Sequence, residues 1–137
     1  MIKHKKHTNK NWAFTLLELL VVIGIISVLV GMGTFSYSTA QKKARDSKRK
    51  GDLQDIRNAL EQYYSVCGFN YPTPNSGSVY TSVICLAPSS AIMPTVPVDP
   101  RTTTPYLCSG CGATAFTLCA NSIESESPTG YCVQNQQ

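Results

Sequence analysis

The sequence predicts an α+β chain in which a long N-terminal helix packs its second half on a small antiparallel sheet. Three observations carry this. All eight prolines lie at Pro72 or beyond, so no breaker interrupts the first half of the chain. Residues 14–35 are almost wholly apolar, and residues 36–66 continue them with apolar side chains at helical spacing. From Cys67 onward the composition turns to Ser, Thr, Pro and Cys, with short β-prone runs between turn signals.

The elements follow in order. Residues 1–13 form a basic, polar head with Lys3, Lys5, Lys6 and Lys10 and no acid. Residues 14–35 carry one charged side chain, Glu18. As a helix they span about 33 Å, enough for a bilayer core of roughly 30 Å. Residues 36–66 place Ala40, Ala44, Leu53, Ile56, Leu60 and Tyr63 on one face. The pairs Asp46–Lys50 and Lys48–Asp52 fall on the other side. One helix over 14–66 would be about 80 Å long at 1.5 Å per residue. The extracytoplasmic globular part is 67–137, with candidate strands Val79–Leu86, Tyr106–Cys108, Ala113–Ala120 and Gly130–Val133. A core of this size needs a packed helix or disulfide staples.

Composition excludes several functions. Both histidines, His4 and His7, sit in the head, so a chain that loses its head has no histidine for Ser-His-Asp or Cys-His catalysis or for a His-containing zinc site. No catalytic constellation remains, and no enzyme activity or cofactor is expected. The net charge of +4 is also local: four of the twelve basic residues are in the head, and the rest balance the eight acids. The run Lys42, Lys43, Arg45, Lys48, Arg49, Lys50 has no interleaved aromatic for base stacking. It reads as a solvated helix face that pairs with acids on neighbouring subunits, and no specific nucleic-acid partner is expected.

Three readings compete for residues 1–40. One is a secretory signal cut after Ser38-Thr39-Ala40, releasing a disulfide-stapled binding domain. The apolar run is longer than the usual 7–15 residues and carries an acid near its start, which argues against it. A second is a plain anchor with an incidental Glu18. The third gives Glu18 a role, because an acid in a membrane helix is costly. A chain cut before Phe14 would present an amine at the level of Glu18, and Glu18 of one subunit would neutralise the Phe14 amine of its neighbour.

The residues Lys10-Asn11-Trp12-Ala13, followed by Phe14-Thr15-Leu16-Leu17-Glu18-Leu19-Leu20, resemble the prepilin signature of type IV pilins and type II secretion pseudopilins. The resemblance implies cleavage between Ala13 and Phe14 by prepilin peptidase, N-methylation of Phe14, and recruitment of subunits through Glu18. It also implies an inner-membrane assembly platform, related pilin subunits as partners, and the lipid bilayer as the environment before assembly. Two features depart from the family: Ala13 replaces the usual glycine before the cut, and the apolar helix lacks a proline. Gly24, Gly31 and Gly33 weaken that helix instead, and melting on assembly is expected at Gly31–Gly33. Residues 92–106, IMPTVPVDPRTTTPY, are similar to the P-x-x-P-x-D-P loop of major pseudopilins, and residues 64–72 to their helix exit. Major pseudopilins of that kind bind calcium. Here Asp99, Glu124 and Glu126 are too few for a six-oxygen site, and no metal is expected.

The resemblance implies a structural subunit of a type IV pilus-like filament, a single-pass membrane protein before assembly. The alternative within the class is a type II secretion major pseudopilin. Six cysteines, Cys67, Cys85, Cys108, Cys111, Cys119 and Cys132, point to an oxidising compartment. Disulfides are preferred over a Cys₄ zinc site or free thiols, because only one CxxC exists. Among the 15 possible pairings, the preferred one joins Cys67 to Cys85 at the helix exit and Cys119 to Cys132 across neighbouring strands. Cys108 and Cys111 then form a tight loop.

Overall fold

The structure is a computed structural model that describes residues 14–125 and 130–136, the side chain of Phe35 excepted. The head, Ala13 and Glu126 lie outside the described residues. Helix α1 runs unbroken from Leu16 to Val66 over 51 residues. The chain divides into two compact units, Met1–Ser38 and Thr39–Gln137, and α1 runs through both.

Local chemistry explains both ends of α1. At the start, Thr15 and Glu18 satisfy each other's amides. The Thr15 amide donates to Glu18 Oε2 at 2.9 Å, and the Glu18 amide donates to Thr15 Oγ1 at 3.2 Å. This is a capping box, which fixes the first turn by filling otherwise orphaned donors. At the exit, Gly68 has φ +92°, and the Phe69 amide bonds back to Tyr64 O at 3.0 Å. The Phe69 ring meets Tyr64 edge-on at 5.8 Å. A left-handed glycine, a six-to-one bond and an apolar clasp together make a Schellman stop.

In the first unit the helix is apolar and exposed, with Leu16, Leu17, Leu19, Leu20, Ile23 and Ile26 all more than half accessible. By length and composition α1 is able to cross a membrane. Its hydroxyls are satisfied within the helix: Ser27 donates to Ile23 O at 2.7 Å and Thr34 to Gly31 O at 3.0 Å. Backbone bonds of this kind let polar side chains sit in a lipid-facing helix.

In the second unit α1 buries Leu53, Ile56 and Leu60 completely against Tyr71, Tyr80, Val83, Tyr106, Phe116, Leu118 and Val133. Ala40 and Ala44, expected on this face, are exposed, because the packed stretch begins only at Asp46. Among the described residues five strands form two antiparallel sheets. β1 (Val83–Leu86) pairs with β2 (Ser89–Met93), and β3 (Leu107–Ser109), β4 (Thr117–Ala120) and β5 (Tyr131–Gln134) form the other in that order. The expected strands over 79–86 and 113–120 shorten to their second halves. β2 is an addition to the expected set, a Ser-Ser-Ala stretch of low β-propensity behind Pro88. Gly130 precedes β5 where a Cβ would stand 2.5 Å from Ala120 O, so only glycine fits there.

The disulfides join Cys67 to Cys85, Cys108 to Cys111 and Cys119 to Cys132, the pairs preferred from the sequence. The register places Cys119 directly opposite Cys132 on β4 and β5. Cys67, one residue past α1, ties the helix exit to β1.

Candidate functional site

Two places on α1 gather charged side chains into candidate sites. The first is the helix start. Phe14, Leu16 and Leu17 are between 73% and 88% exposed. Glu18 faces the same end, where the amide dipoles favour a carboxylate. Its Oε2 accepts from both the Thr15 amide and the Thr15 hydroxyl at 2.9 Å. Among the described residues Oε1 has no partner, so the carboxylate is anchored by one oxygen and presents the other outward. The T-x-x-E spacing of Thr15 and Glu18 is the signal in the sequence that announces this capping box. The expected cleavage site between Ala13 and Phe14 straddles the edge of the described residues.

The second is an ion cluster on the face of α1 that enters the core. Arg49 is 1% exposed, yet its guanidinium makes four hydrogen bonds. Nε donates to Asp99 Oδ2 at 2.6 Å, Nη1 to Asp46 Oδ1 at 2.7 Å, and Nη2 to Glu124 Oε1 at 2.8 Å and Asp99 Oδ1 at 3.2 Å. Arg45 grips Glu124 with two bonds, at 2.9 and 2.6 Å. Asp46 also accepts the amides of Glu124 and Ser125 at 2.9 and 2.6 Å. Asp99 turns its own loop by accepting the amides of Arg101 and Thr102 at 2.8 and 3.1 Å. The cluster therefore ties two loops far apart in sequence to one helix face.

Its electrostatics follow from those contacts. Burial pushes the Asp46 carboxyl upward, but hydrogen bonds from Ser125, the Glu124 amide and Arg49 outweigh it and hold the group at about 2. Arg45, with Arg49 behind it, holds Glu124 at about 2 against the cost of desolvation. Arg49 keeps Asp99 far below the usual carboxylate range, and the guanidinium of Arg49 is raised in turn, chiefly by Asp99. These contacts correct the expectation of a solvated basic face for Arg45 and Arg49, while Lys42, Lys43 and Lys48 are exposed as expected. Asp46 does not lie on the solvent side, and Arg45 and Arg49 pair with acids of their own chain. Asp99 and Glu124, the acids a calcium site would have needed, are engaged by arginines. Among the described residues no group of three His, Cys, Asp or Glu side chains is placed to hold a metal ion.

Tyrosine hydroxyls complete the attachment. Tyr106 donates to Asp52 at 2.8 Å and Tyr71 to Glu61 at 3.0 Å, while Gln54 donates to the Tyr131 oxygen at 2.7 Å. Burial, with Glu61 beside it, pushes Tyr71 up to about 12.

Over 70 residues the chain is 39% identical to the type II secretion system core protein G of Escherichia coli (strain K12). The match covers 51% of this chain and 48% of that protein, so the chain spans about half the length of the curated relative it matches. No family model matches the chain. No solved structure matches it. With the Phe14-to-Glu18 motif, the long helix and the small sheets already described, this likeness makes the chain similar to the type IV pilin and pseudopilin family over the matched 70 residues.

Proposed function

We propose that the chain is a structural, non-enzymatic subunit that polymerises through α1 into an extracytoplasmic filament. One observation carries this reading. The first unit exposes a continuous apolar helix whose only acid is anchored at its start. A solvated helix of this composition is unstable until lipid or other subunits cover it. Before assembly the bilayer covers it, with the head on the cytoplasmic side. Prepilin peptidase cuts between Ala13 and Phe14 and methylates the new amine, and an inner-membrane platform adds the subunit to the filament. Glu18, with one oxygen turned outward, then neutralises the Phe14 amine of a neighbouring subunit.

Intact mass and N-terminal sequencing of a sheared surface fraction test this. A chain beginning at N-methylated Phe14 and recovered in filaments is expected. A soluble chain beginning at Gln41 overturns it and makes the second unit a secreted domain. Within the filament reading, a type II secretion role is favoured by the likeness to core protein G. Deleting the gene then blocks export of folded proteins while surface pili persist. Loss of surface pili with export intact assigns the subunit to a pilus instead.

A further inference from the structure

The ion cluster consumes Arg45, Asp46 and Arg49 internally, which leaves a different set of residues on the outer face of α1. Within the second unit, Ala44, Lys48, Gly51, Asp55, Asn58 and Gln62 are all exposed. Their spacing alternates four and three, so they form one seam along the helix. Lys48 and Asp55 are its charged members, of opposite sign and seven residues apart. Seven residues make nearly two turns, so the two charges point the same way about 10.5 Å apart along the axis.

Gly51 lies between them in mid-helix. A Cβ built there meets nothing within 4 Å, so this chain alone gives no reason for a residue that weakens a helix interior. Asp52, the other acid beside Lys48, is occupied by the Tyr106 hydroxyl.

We propose that this seam is the contact along which a second copy of the chain lies parallel, displaced by one seven-residue step, so that Lys48 of one copy meets Asp55 of the next. The parallel orientation rests on the filament reading, in which every subunit enters the assembly by the same end. The displacement follows from charge. In register, Lys48 faces Lys48 and Asp55 faces Asp55, which repels, whereas a seven-residue slide pairs opposite charges and restores the same seam. Gly51, with Ala44 beside it, lets the second helix approach closely.

Charge swapping in the full chain tests the proposal. Lys48→Glu and Asp55→Lys are each expected to lower filament recovery about tenfold, and the double swap to return it to within about threefold of wild type. Their melting temperatures in detergent should match wild type, because neither side chain enters the core. Gly51→Leu should raise the melting temperature of the monomer and yet lower filament recovery. For a direct contact, Lys48→Cys and Asp55→Cys copies are expressed together and oxidised. The mixed dimer is expected, and its absence from assembled filaments overturns the contact. Single swaps that assemble like wild type, or a double swap no better than the singles, also overturn it. Those results leave the filament reading standing if wild type still assembles from Phe14. If wild type forms no filament, both fall together.

Discussion

The two parts of α1 obey the same helical geometry and meet opposite fates. From Leu16 to Met32 the helix is apolar and its large side chains are exposed among the described residues. From Asp46 to Leu60 it is studded with charge, and yet Asp46, Arg49, Leu53, Ile56 and Leu60 are all buried. Burial in this protein is therefore decided by what lies opposite, not by polarity. In the proposed filament the apolar part is covered by lipid or other subunits, while the charged part already has its partners in the loops around Asp99 and Glu124.

The largest expected effect breaks the second part of that contrast. Arg49→Met removes one charge from a buried set and leaves Asp46, Asp99 and Glu124 facing one another. Losing one partner of a buried ion pair costs about 3–5 kcal/mol. Chemical denaturation in detergent should show that loss, with the apolar half of α1 keeping its helical signal. A loss under about 1 kcal/mol would mean that the cluster is no more than a surface network.

Separating Cys119 from Cys132 by a double Ser substitution comes next. The two cysteines are 13 positions apart, and freeing a loop of that size returns chain entropy to the unfolded state worth about 3 kcal/mol. The penalty should fall on the second unit, measured by the midpoint of denaturation.

Acid gives a smaller, graded effect with a definite sign. Asp46 and Glu124 are held at about 2, below their ordinary values of 3.8 and 4.5. Depressed carboxyls contribute stability that is fully present above the unfolded values and is lost as pH falls toward the folded ones. The melting temperature should be level from pH 8 to about 5 and then fall between about 4.5 and 2. Arg49→Met, which removes the chief partner of Asp99 and a lesser one of Asp46 and Glu124, should flatten that limb in part. An equally steep limb in the variant would place the acid sensitivity elsewhere.

Legibility in the sequence followed the range of the interactions. The helix, its membrane-length first part and the Cys119–Cys132 pair rest on local pattern or on neighbouring strands, and all were readable. The ion cluster joins residues 50 to 79 positions apart, and no local pattern announces such contacts. One signal was nevertheless present. Asp46, Arg49, Leu53, Ile56 and Leu60 are spaced three, four, three and four, which sets the two charges on the core face. Pairing Asp46 with Lys50 by i,i+4 spacing alone misses this, because that rule says nothing about which face is covered. β2 escapes sequence reasoning for a different reason: its partner β1 holds it in place, not its own composition.

The smallest effect on stability sharpens the first part of the contrast. Glu18 closes the capping box with Thr15 and, in the proposed filament, presents a charge to a neighbour. Glutamine at the same position can also close a capping box, but it carries no charge. Glu18→Gln should thus leave α1 helical to its first turn, while Thr15→Val, which removes the capping hydroxyl, costs about 1 kcal/mol of local helix stability. Helicity by circular dichroism and filament recovery then separate the duties. Intact helicity without filaments in Glu18→Gln assigns assembly to the charge. Normal filaments in Glu18→Gln, with loss in Thr15→Val, would assign it to the cap, and the charge pairing with Phe14 would have to be abandoned.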